Sequence, residues 1–237
     1  MHQSLWDSLV EALRLIRDFD PEVMEIAWRS LWIAATSSAI SFLLLALPLG
    51  TLIHFNRFRG KNLLVMIIHT MFALPAVAIG LIVYSLLSRA GPLGNLEWYL
   101  TPKAIIFGQT MLITPVMLGL VIAALRGVDK SIPETATALG ASRFQTYIVS
   151  MREARYGILT ALVMGFGRAI AEVGISIMVG GNIRGYTRTL TTAITLQNSQ
   201  GEQVLALALG IILILIAFGV NFILYGFQYR KEVIPWR

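Results

Sequence analysis

Long apolar stretches alternate with short polar segments along this chain of 237 residues. A helix needs about 20 apolar residues to cross roughly 30 Å of hydrocarbon, and each stretch is long enough. The pattern predicts five spans: Ser30–Ile53, Leu63–Leu87, Ala104–Leu125, Ile158–Val179 and Val204–Phe227. Because lipid offers the backbone no hydrogen-bond partner, the spans must be helical, and we expect an all-α, polytopic membrane protein.

The first twenty residues are amphipathic instead of uniformly apolar. Apolar side chains recur at helical spacing and form one stripe: Leu5, Leu9, Leu13 and Ile16. An amphipathic helix of this kind lies in the membrane interface. Asp20 and Pro21 end the pattern and predict a cap for the next helix. We therefore expect an N-terminal interfacial helix over residues 1–20 and a transmembrane domain over residues 21–237.

Three of the predicted spans contain a proline, at Pro48, Pro75 and Pro115. A proline removes one helical hydrogen bond and crowds the preceding turn. In lipid such a residue is tolerated only where neighbours bind the freed carbonyl groups. The prolines predict bends, which either hinge a pathway or fit crossing helices together.

A polar, helix-forming segment separates the third span from the fourth. Ser131 and Glu134 have the spacing of a capping box, which predicts the start of a helix. Gly140 is placed to end that helix in a left-handed conformation. Ser142 and Gln145 repeat the box and predict a second helix. The segment therefore predicts a helix, a sharp turn and a helix, with small residues that another protein can approach closely.

The fourth span is the only predicted span that contains charged residues, Arg168 and Glu172. Their spacing places them on one helix face, where they can pair. Each unpaired charge would cost roughly 2.5–3.5 kcal/mol near the bilayer centre. Ala161, Gly165 and Ala169 form a stripe that permits close helix packing. We expect a structural ion pair at a packing interface, with direct contact to a substrate as the alternative.

Composition and charge agree with a membrane location. The chain is 56% hydrophobic and only 14% charged, with a mean hydropathy of +0.72, which is too apolar for a soluble globular domain. There are no cysteines, so disulfides and thiolate metal sites are excluded, and the three histidines lack metal-ligand spacing. The net charge of +6 comes from residues scattered between the spans, which favours membrane orientation over nucleic-acid binding.

Residues 133–155 resemble the cytoplasmic coupling loop of permease subunits in ATP-binding-cassette importers, with matches at Glu134, Ala136 and Gly140. The resemblance implies a coupling helix, within a loop over residues 126–157, that inserts into a cleft of the ATPase subunit. Thr135 departs from the pattern, in which alanine is usual. The resemblance implies these coupling residues: Glu134, Ala136, Leu139, Gly140, Ala141, Arg143 and Phe144.

The fourth span and the loop after it resemble permeases of molybdate, sulfate and tungstate importers, and residues 180–192 are most similar to the tungstate type. The resemblance implies a type I importer permease fold, an ATPase subunit that binds ATP and Mg, and an extracytoplasmic substrate-binding protein. Hydroxyl and backbone N–H groups suit a tetrahedral oxyanion. The candidates for an outer gate or pathway, against the alternative of a solvated loop, are Asn182, Arg184, Thr187, Arg188, Thr189, Thr191 and Thr192.

The chain lacks the motifs of an enzyme. Gly60 and Lys61 are followed by Asn62 and do not form a nucleotide-binding P-loop. Neither a His-Glu-x-x-His nor a Gly-x-Ser-x-Gly motif occurs. We therefore expect a non-catalytic subunit driven by a separate ATPase. A secondary transporter, which should show internal repeats, and a membrane scaffold, which would not explain the bent spans, are the alternatives.

Orientation and assembly follow from the coupling segment. If that segment faces the compartment that contains ATP, the N-terminus lies outside and the C-terminus is cytoplasmic. More lysines and arginines lie in the loops on the coupling side, in agreement with the positive-inside rule. Five helices enclose a pathway poorly, so we expect a homodimer in the cell inner membrane. The expected substrate is tungstate, molybdate or sulfate.

Overall fold

The computed structural model describes residues 5–232, within which the chain is almost entirely helical and contains no strand. The twelve α-helices of these residues are α1 (Leu5–Arg17), α2 (Pro21–Ala39), α3 (Leu47–Phe55), α4 (Lys61–Thr70), α5 (Ala76–Leu87), α6 (Pro102–Arg126), α7 (Ser131–Ala138), α8 (Arg143–Glu153), α9 (Arg155–Ile170), α10 (Gly174–Gly180), α11 (Leu190–Gln200) and α12 (Gln203–Glu232). Residues 1–4 of the predicted interfacial helix and residues 233–237 lie outside the described part.

Three helices are long and apolar enough to cross a membrane: Pro21–Phe55, Pro102–Arg126 and Gln203–Phe222. Two helix pairs, α4 with α5 and α9 with α10, pass the same test together but bend sharply at a break. The bend predicted at Pro75 is confirmed by the break in the first pair, whereas no pattern predicted the break within Ile158–Val179. Five spans result if each bent pair crosses the membrane once.

Pro75 accounts for the first of these breaks. It precedes α5 with an extended ψ of 129°, and Leu74 before it has left the helical region with ψ of 125°. A residue that precedes proline is pushed out of the α region by contact with the proline ring. The chain therefore cannot continue α4 directly into α5. Pro115, by contrast, lies inside α6 without interrupting it.

Pro48 is accommodated by a change in helix type. A π-helical segment, Ile40–Ala46, joins α2 to α3 and ends just before the first turn that contains Pro48. The N–H of Leu47 donates to the carbonyl of Phe42, five residues earlier. Since a proline ring crowds the carbonyl four residues before it, the wider π turn lies where extra room is needed.

The described residues divide into two compact units. The first comprises residues 5–37, 75–109 and 167–220. Apolar side chains of α2, α11 and α12 form one of its buried clusters: Val23, Ile26, Leu190, Ala193, Leu209 and Ile212. Helices α5 and α10 also pack closely in this unit, because a methyl group at Gly80 would lie 3.0 Å from Met178 Sδ.

The second unit comprises residues 38–74, 110–166 and 221–232. Glycines bring its helices together at α6. A methyl group at Gly50 would lie 2.7 Å from Val121 Cγ1, and one at Gly157 would lie 2.7 Å from Ala124 Cβ. A methyl group at Gly165 would lie closer still to the side chain of Met117. Such glycines allow close contact between helices, which in lipid depends on packing.

The predicted stripe of small residues on α9 is confirmed as a packing surface. Ala161 and Ala169 are fully buried, and the position of Gly165 leaves no room for a side chain beside Met117. The stripe lies on the buried side of α9, because small side chains permit the neighbouring helix to approach.

The predicted cap at Asp20 is also confirmed. Its Oδ1 accepts hydrogen bonds of 3.0 Å from the N–H groups of Glu22 and Val23 at the start of α2. Helix α1 precedes it with Trp6 and Leu13 exposed on its surface. The location of this helix in the membrane interface stays a prediction.

Substitution of Gly157 by alanine should destabilise the protein. Its methyl group would meet Ala124, which has no flexible side chain to move aside, and overpacking of this kind costs about 1–3 kcal/mol. Gly167→Ala is the matched control in the same helix, because no atom lies within 4 Å of its added methyl group. Thermal unfolding in detergent should show a lower midpoint for Gly157→Ala alone. Equal midpoints for the two variants would contradict the proposed close contact.

Candidate functional site: a docking turn, a broken span and an arginine-bearing loop

The candidate docking turn, residues 139–142, joins α7 to α8. It ends α7 in the way that Gly140 predicts. Gly140 has φ of +85°. The N–H of Gly140 donates to the carbonyl of Thr137, and the N–H of Ala141 donates to that of Ala136, both at 3.0 Å. This pair of hydrogen bonds is a Schellman motif, which satisfies the carbonyls at the end of α7. The predicted left-handed turn is confirmed.

Of the two capping boxes that the sequence predicts here, the structure contains one. The box at Ser142 and Gln145 is confirmed, with both reciprocal hydrogen bonds present at the start of α8. The predicted box at Ser131 and Glu134 is wrong, because α7 begins at Ser131 itself. Asp129 Oδ1 instead accepts the Ser131 N–H at 2.8 Å, and the hydrogen bonds from Ser131 lower the pKa of the Asp129 carboxyl below its ordinary value.

The docking turn presents apolar side chains to its surroundings. Leu139 is 83% exposed and Phe144 is 71% exposed. The charged candidates Glu134 and Arg143 are exposed, whereas Ala136 and Ala141 are partly buried. Tyr147 of α8 stacks on Phe55 of α3 with ring centroids 4.1 Å apart, which anchors α8 in its unit. A capped, anchored turn with two exposed large apolar residues is suited to binding a protein.

Arg168 and Glu172 do not lie on one continuous helix. Helix α9 ends at Ile170, and α10 begins at Gly174. Glu172 therefore lies in the break of the fourth span, 7% exposed. Its Oε1 accepts the N–H of Ile175 at 3.0 Å, so the carboxylate caps α10. The prediction that both residues share a helix face is wrong, because the helix stops between them, while the ion pair itself stays a prediction.

Side chains from other helices bind the carbonyls at this break. Gln109 of α6, which is 3% exposed, donates from Nε2 to the carbonyl of Ala169 at 3.0 Å. Its Oε1 accepts the hydroxyl of Ser37 at 2.8 Å. Thr191 Oγ1 donates to the carbonyl of Glu172 at 2.8 Å. The break is therefore held directly by side chains of α6 and α11, and Ser37 of α2 holds the α6 side chain in turn, which supplies the partners that backbone in lipid requires.

Threonines stabilise the loop between α10 and α11. Thr187 Oγ1 accepts the Ile183 N–H at 2.9 Å and donates to the carbonyl of Gly180. The N–H of Thr189 donates to Thr192 Oγ1 at 2.9 Å, in the capping box that starts α11. Four threonines of the predicted pathway are buried and bonded within the chain: Thr187, Thr189, Thr191 and Thr192. Their role at an outer gate stays a prediction.

Arginines of the same loop meet a carboxylate at the start of α2. Arg184 Nη2 lies 2.6 Å from Glu22 Oε2, and Arg188 Nη1 lies 3.7 Å from Glu22 Oε1. The carboxylate raises the pKa of Arg184 above its ordinary value. Asn182, the remaining candidate, has φ of +51° and donates from Nδ2 to the Thr192 carbonyl at 3.4 Å.

The structure reveals three contributing residues that the sequence patterns did not predict: Glu22, Arg29 and Gln109. Arg29 is buried, pairs with Glu25 and donates to the carbonyl of Arg188 at 3.3 Å. Gln109 could have been predicted from the sequence, since a glutamine within an apolar span needs a partner. Glu22 has no sequence feature that indicates a role, apart from its position in the first turn of a helix. Among the described residues, no group of three His, Asp or Glu side chains is placed to hold a metal ion.

The sequence matches both a family model and individual transport proteins. Residues 28–232 match the family model of the binding-protein-dependent transport system inner membrane component. The tungstate uptake system permease protein of Peptoclostridium acidaminophilum is 37% identical over 217 residues, which cover 92% of this chain and 95% of that protein. A probable anion ABC transporter permease protein of Haloferax volcanii is 41% identical over 197 residues, 81% of this chain and 84% of that protein.

The fold is also found in a solved importer. The inward-facing MetNI methionine ABC transporter matches with a TM-score of 0.71 at 18% identity, over 89% of this chain and 96% of that chain. Identity at this level shows the fold alone. The chain therefore has the permease fold of type I ABC importers, as the sequence predicted.

The chain belongs to the family of binding-protein-dependent transport system inner membrane components. It is accordingly a non-catalytic permease subunit of an ABC importer, and ATP and Mg belong to the partner ATPase of such a system. Family membership sets aside the alternatives of a secondary transporter and of a scaffold without ATP coupling.

Replacement of Glu172 distinguishes a capping role from an ionic one. Glu172→Gln keeps the oxygen that accepts the Ile175 N–H, whereas Glu172→Ala leaves that buried donor without an acceptor, at a cost of about 1–3 kcal/mol. We expect Glu172→Ala to lower the thermal unfolding midpoint in detergent and Glu172→Gln to retain most of the stability.

Arg168→Ala, alone and combined with Glu172→Ala, tests the predicted ion pair in the same assay. A double variant more stable than either single variant would support pairing, because one buried charge is then not left alone. Equal losses for Glu172→Gln and Glu172→Ala would contradict the capping role.

Proposed function

We propose that this chain is the membrane-spanning permease of an importer for tungstate or a related tetrahedral oxyanion. The observation that carries the proposal is its similarity, over nearly the whole chain, to a tungstate uptake permease. The chain is also similar to molybdenum and sulfate transport permeases, which supports a substrate of the same oxyanion class. Molybdate has nearly the size and charge of tungstate, so discrimination between them would reside in the binding protein.

The proposed assembly contains two copies of this chain, two ATPase subunits and one extracytoplasmic binding protein. Each bent helix pair crosses the membrane once, which gives five spans per copy. The N-terminus lies outside, with residues 1–20 in the interface, and the C-terminus is cytoplasmic. The homodimer places the pathway between copies, because five helices alone enclose a pathway poorly.

Coupling to the ATPase is assigned to residues 126–157. The Schellman turn at Gly140 and the capping box at Ser142 fix the shape of this segment. Exposed Leu139 and Phe144 would be covered by the ATPase subunit, which accounts for two large apolar side chains outside the spans. Glu134 and Arg143 would make the polar contacts at the edge of this interface.

The loop over residues 180–192 is assigned to the outer gate. Arg184 and Arg188 supply positive charge, and Asn182 with the four threonines holds the backbone around them. A tetrahedral dianion is attracted by guanidinium and N–H donors of this kind. In this role the threonines position the loop, and the arginines approach the anion.

Gly140→Val should uncouple transport from ATP hydrolysis. No atom lies within 4 Å of an added methyl group at Gly140, so the effect comes only from φ of +85°. A left-handed residue other than glycine costs about 1–2 kcal/mol, and a β-branched residue is the least tolerated. In proteoliposomes, Gly140→Val should insert normally but lose most substrate-stimulated ATP hydrolysis.

Gly140→Asn provides the matched control, because asparagine tolerates the left-handed region. This variant should keep most of the stimulation. Normal stimulation in the Gly140→Val complex would contradict the assignment of this turn to coupling.

Substrate identity is tested by the ATPase rate of the reconstituted complex. Its cognate binding protein would be loaded in turn with tungstate, molybdate, sulfate, phosphate or an amino acid, with the unloaded protein as control. We expect tungstate and molybdate to stimulate to similar extents and the amino acid not to stimulate. Stimulation by the amino acid alone would refute an oxyanion substrate while leaving the importer fold intact.

A further inference from the structure

Glu22 lies between two arginines of the loop that follows α10. Its two oxygens face different guanidinium groups, at 2.6 Å from Arg184 Nη2 and 3.7 Å from Arg188 Nη1. The side chain of Arg184 is 72% exposed, that of Glu22 is 30% exposed and that of Arg188 is 12% exposed. One carboxylate therefore contacts both an exposed cation and a largely buried one.

Arg188 is held in place independently of Glu22. The buried guanidinium of Arg29 donates to the carbonyl of Arg188 at 3.3 Å and pairs with Glu25. Within the part of the chain that the structure describes, no group accepts a hydrogen bond from the buried Nε of Arg188. Arg188 is therefore fixed at its backbone while its guanidinium retains an unused donor.

The charges of this cluster leave an excess of positive charge. Three arginines, Arg29, Arg184 and Arg188, accompany two carboxylates, Glu22 and Glu25. Two guanidinium groups that converge on one carboxylate also suit an oxyanion, because the planar N–H donors fit its oxygens. Since ion pairs with exposed members contribute little to stability, an arriving anion can displace Glu22.

We propose that Arg184 and Arg188 form a binding site for the transported oxyanion and that Glu22 is a tethered competitor for this site. The inference rests on the proposed function, since it takes a tetrahedral oxyanion as the substrate. Two free arginines would hold a dianion tightly and slow its onward movement. A carboxylate that occupies them for most of the time lowers the apparent affinity and permits release.

Direct tungstate binding to the complex of permease and ATPase tests this site. The complex would be placed in nanodiscs without its binding protein, and binding would be measured by equilibrium dialysis at low ionic strength. Loss of a competitor worth about 1 kcal/mol predicts that Glu22→Gln binds tungstate about fivefold more tightly than the wild type. Adding Arg188→Gln should abolish the gain.

Two further variants complete the test: one controls for the loss of a negative charge elsewhere, and the other changes Glu22 without removing its charge. Glu11→Gln removes the same charge from α1, where Glu11 pairs with Arg14, and should leave tungstate binding unchanged. Glu22→Asp retains a negative charge at the start of α2 but shortens the side chain, and it should tighten binding in the same direction. It serves as the test if Glu22→Gln fails to fold.

The outcomes separate this inference from the proposed function. Unchanged binding in both Glu22 variants, a gain that survives Arg188→Gln, or an equal gain in Glu11→Gln would overturn the site. The same preparations would be tested for ATPase stimulation by tungstate-loaded binding protein. Wild-type stimulation without tighter binding in the variants refutes the arginine site alone, whereas absence of wild-type stimulation refutes the proposed function and this inference together.

Discussion

The requirement that backbone groups be hydrogen-bonded in lipid governs this structure most clearly at the break in the fourth span. The break leaves carbonyls at the end of α9 and N–H groups at the start of α10 without their usual partners. Gln109 binds a carbonyl of Ala169, the Glu172 carboxylate binds an N–H of α10, and Thr191 binds the Glu172 carbonyl. The surrounding helices are thereby tied to one another at the point where the span is interrupted.

These bonds also give a charged residue in an apolar span a second structural role. A charge four residues from its opposite suggests an ion pair, but that reasoning assumes an unbroken helix. Glu172 accepts a backbone N–H within its own segment, and its pairing with Arg168 stays a prediction. Similarly, the threonines of the following loop satisfy backbone groups first, and only the arginines keep donors directed elsewhere. Threonines that bind the backbone and arginines that pair with Glu22 therefore lie within one short stretch of the chain.

Local signals allowed much of the fold to be predicted. The turn at Gly140 and the box at Ser142 depend on residues close in sequence, as do the long apolar spans. The bend in the second span followed from Pro75, but the break in the fourth span was not predicted, because hydropathy measures composition and does not report the direction of the backbone. The bond from Gln109 to Ala169 and the contact between Glu22 and Arg184 join distant segments, so a single sequence holds no local pattern from which to derive them.

The π segment Ile40–Ala46 changes the direction in which the following side chains of the first long helix point. A wide turn contains one residue more than the α-helix it replaces, and one residue corresponds to about 100° of rotation about the helix axis. If the wide turn migrates along the helix by exchange of a few hydrogen bonds, the residues it passes turn to a new direction while the helix remains intact. The proline that follows, Pro48, would limit such migration on one side, so the wide turn would move only toward the start of the helix.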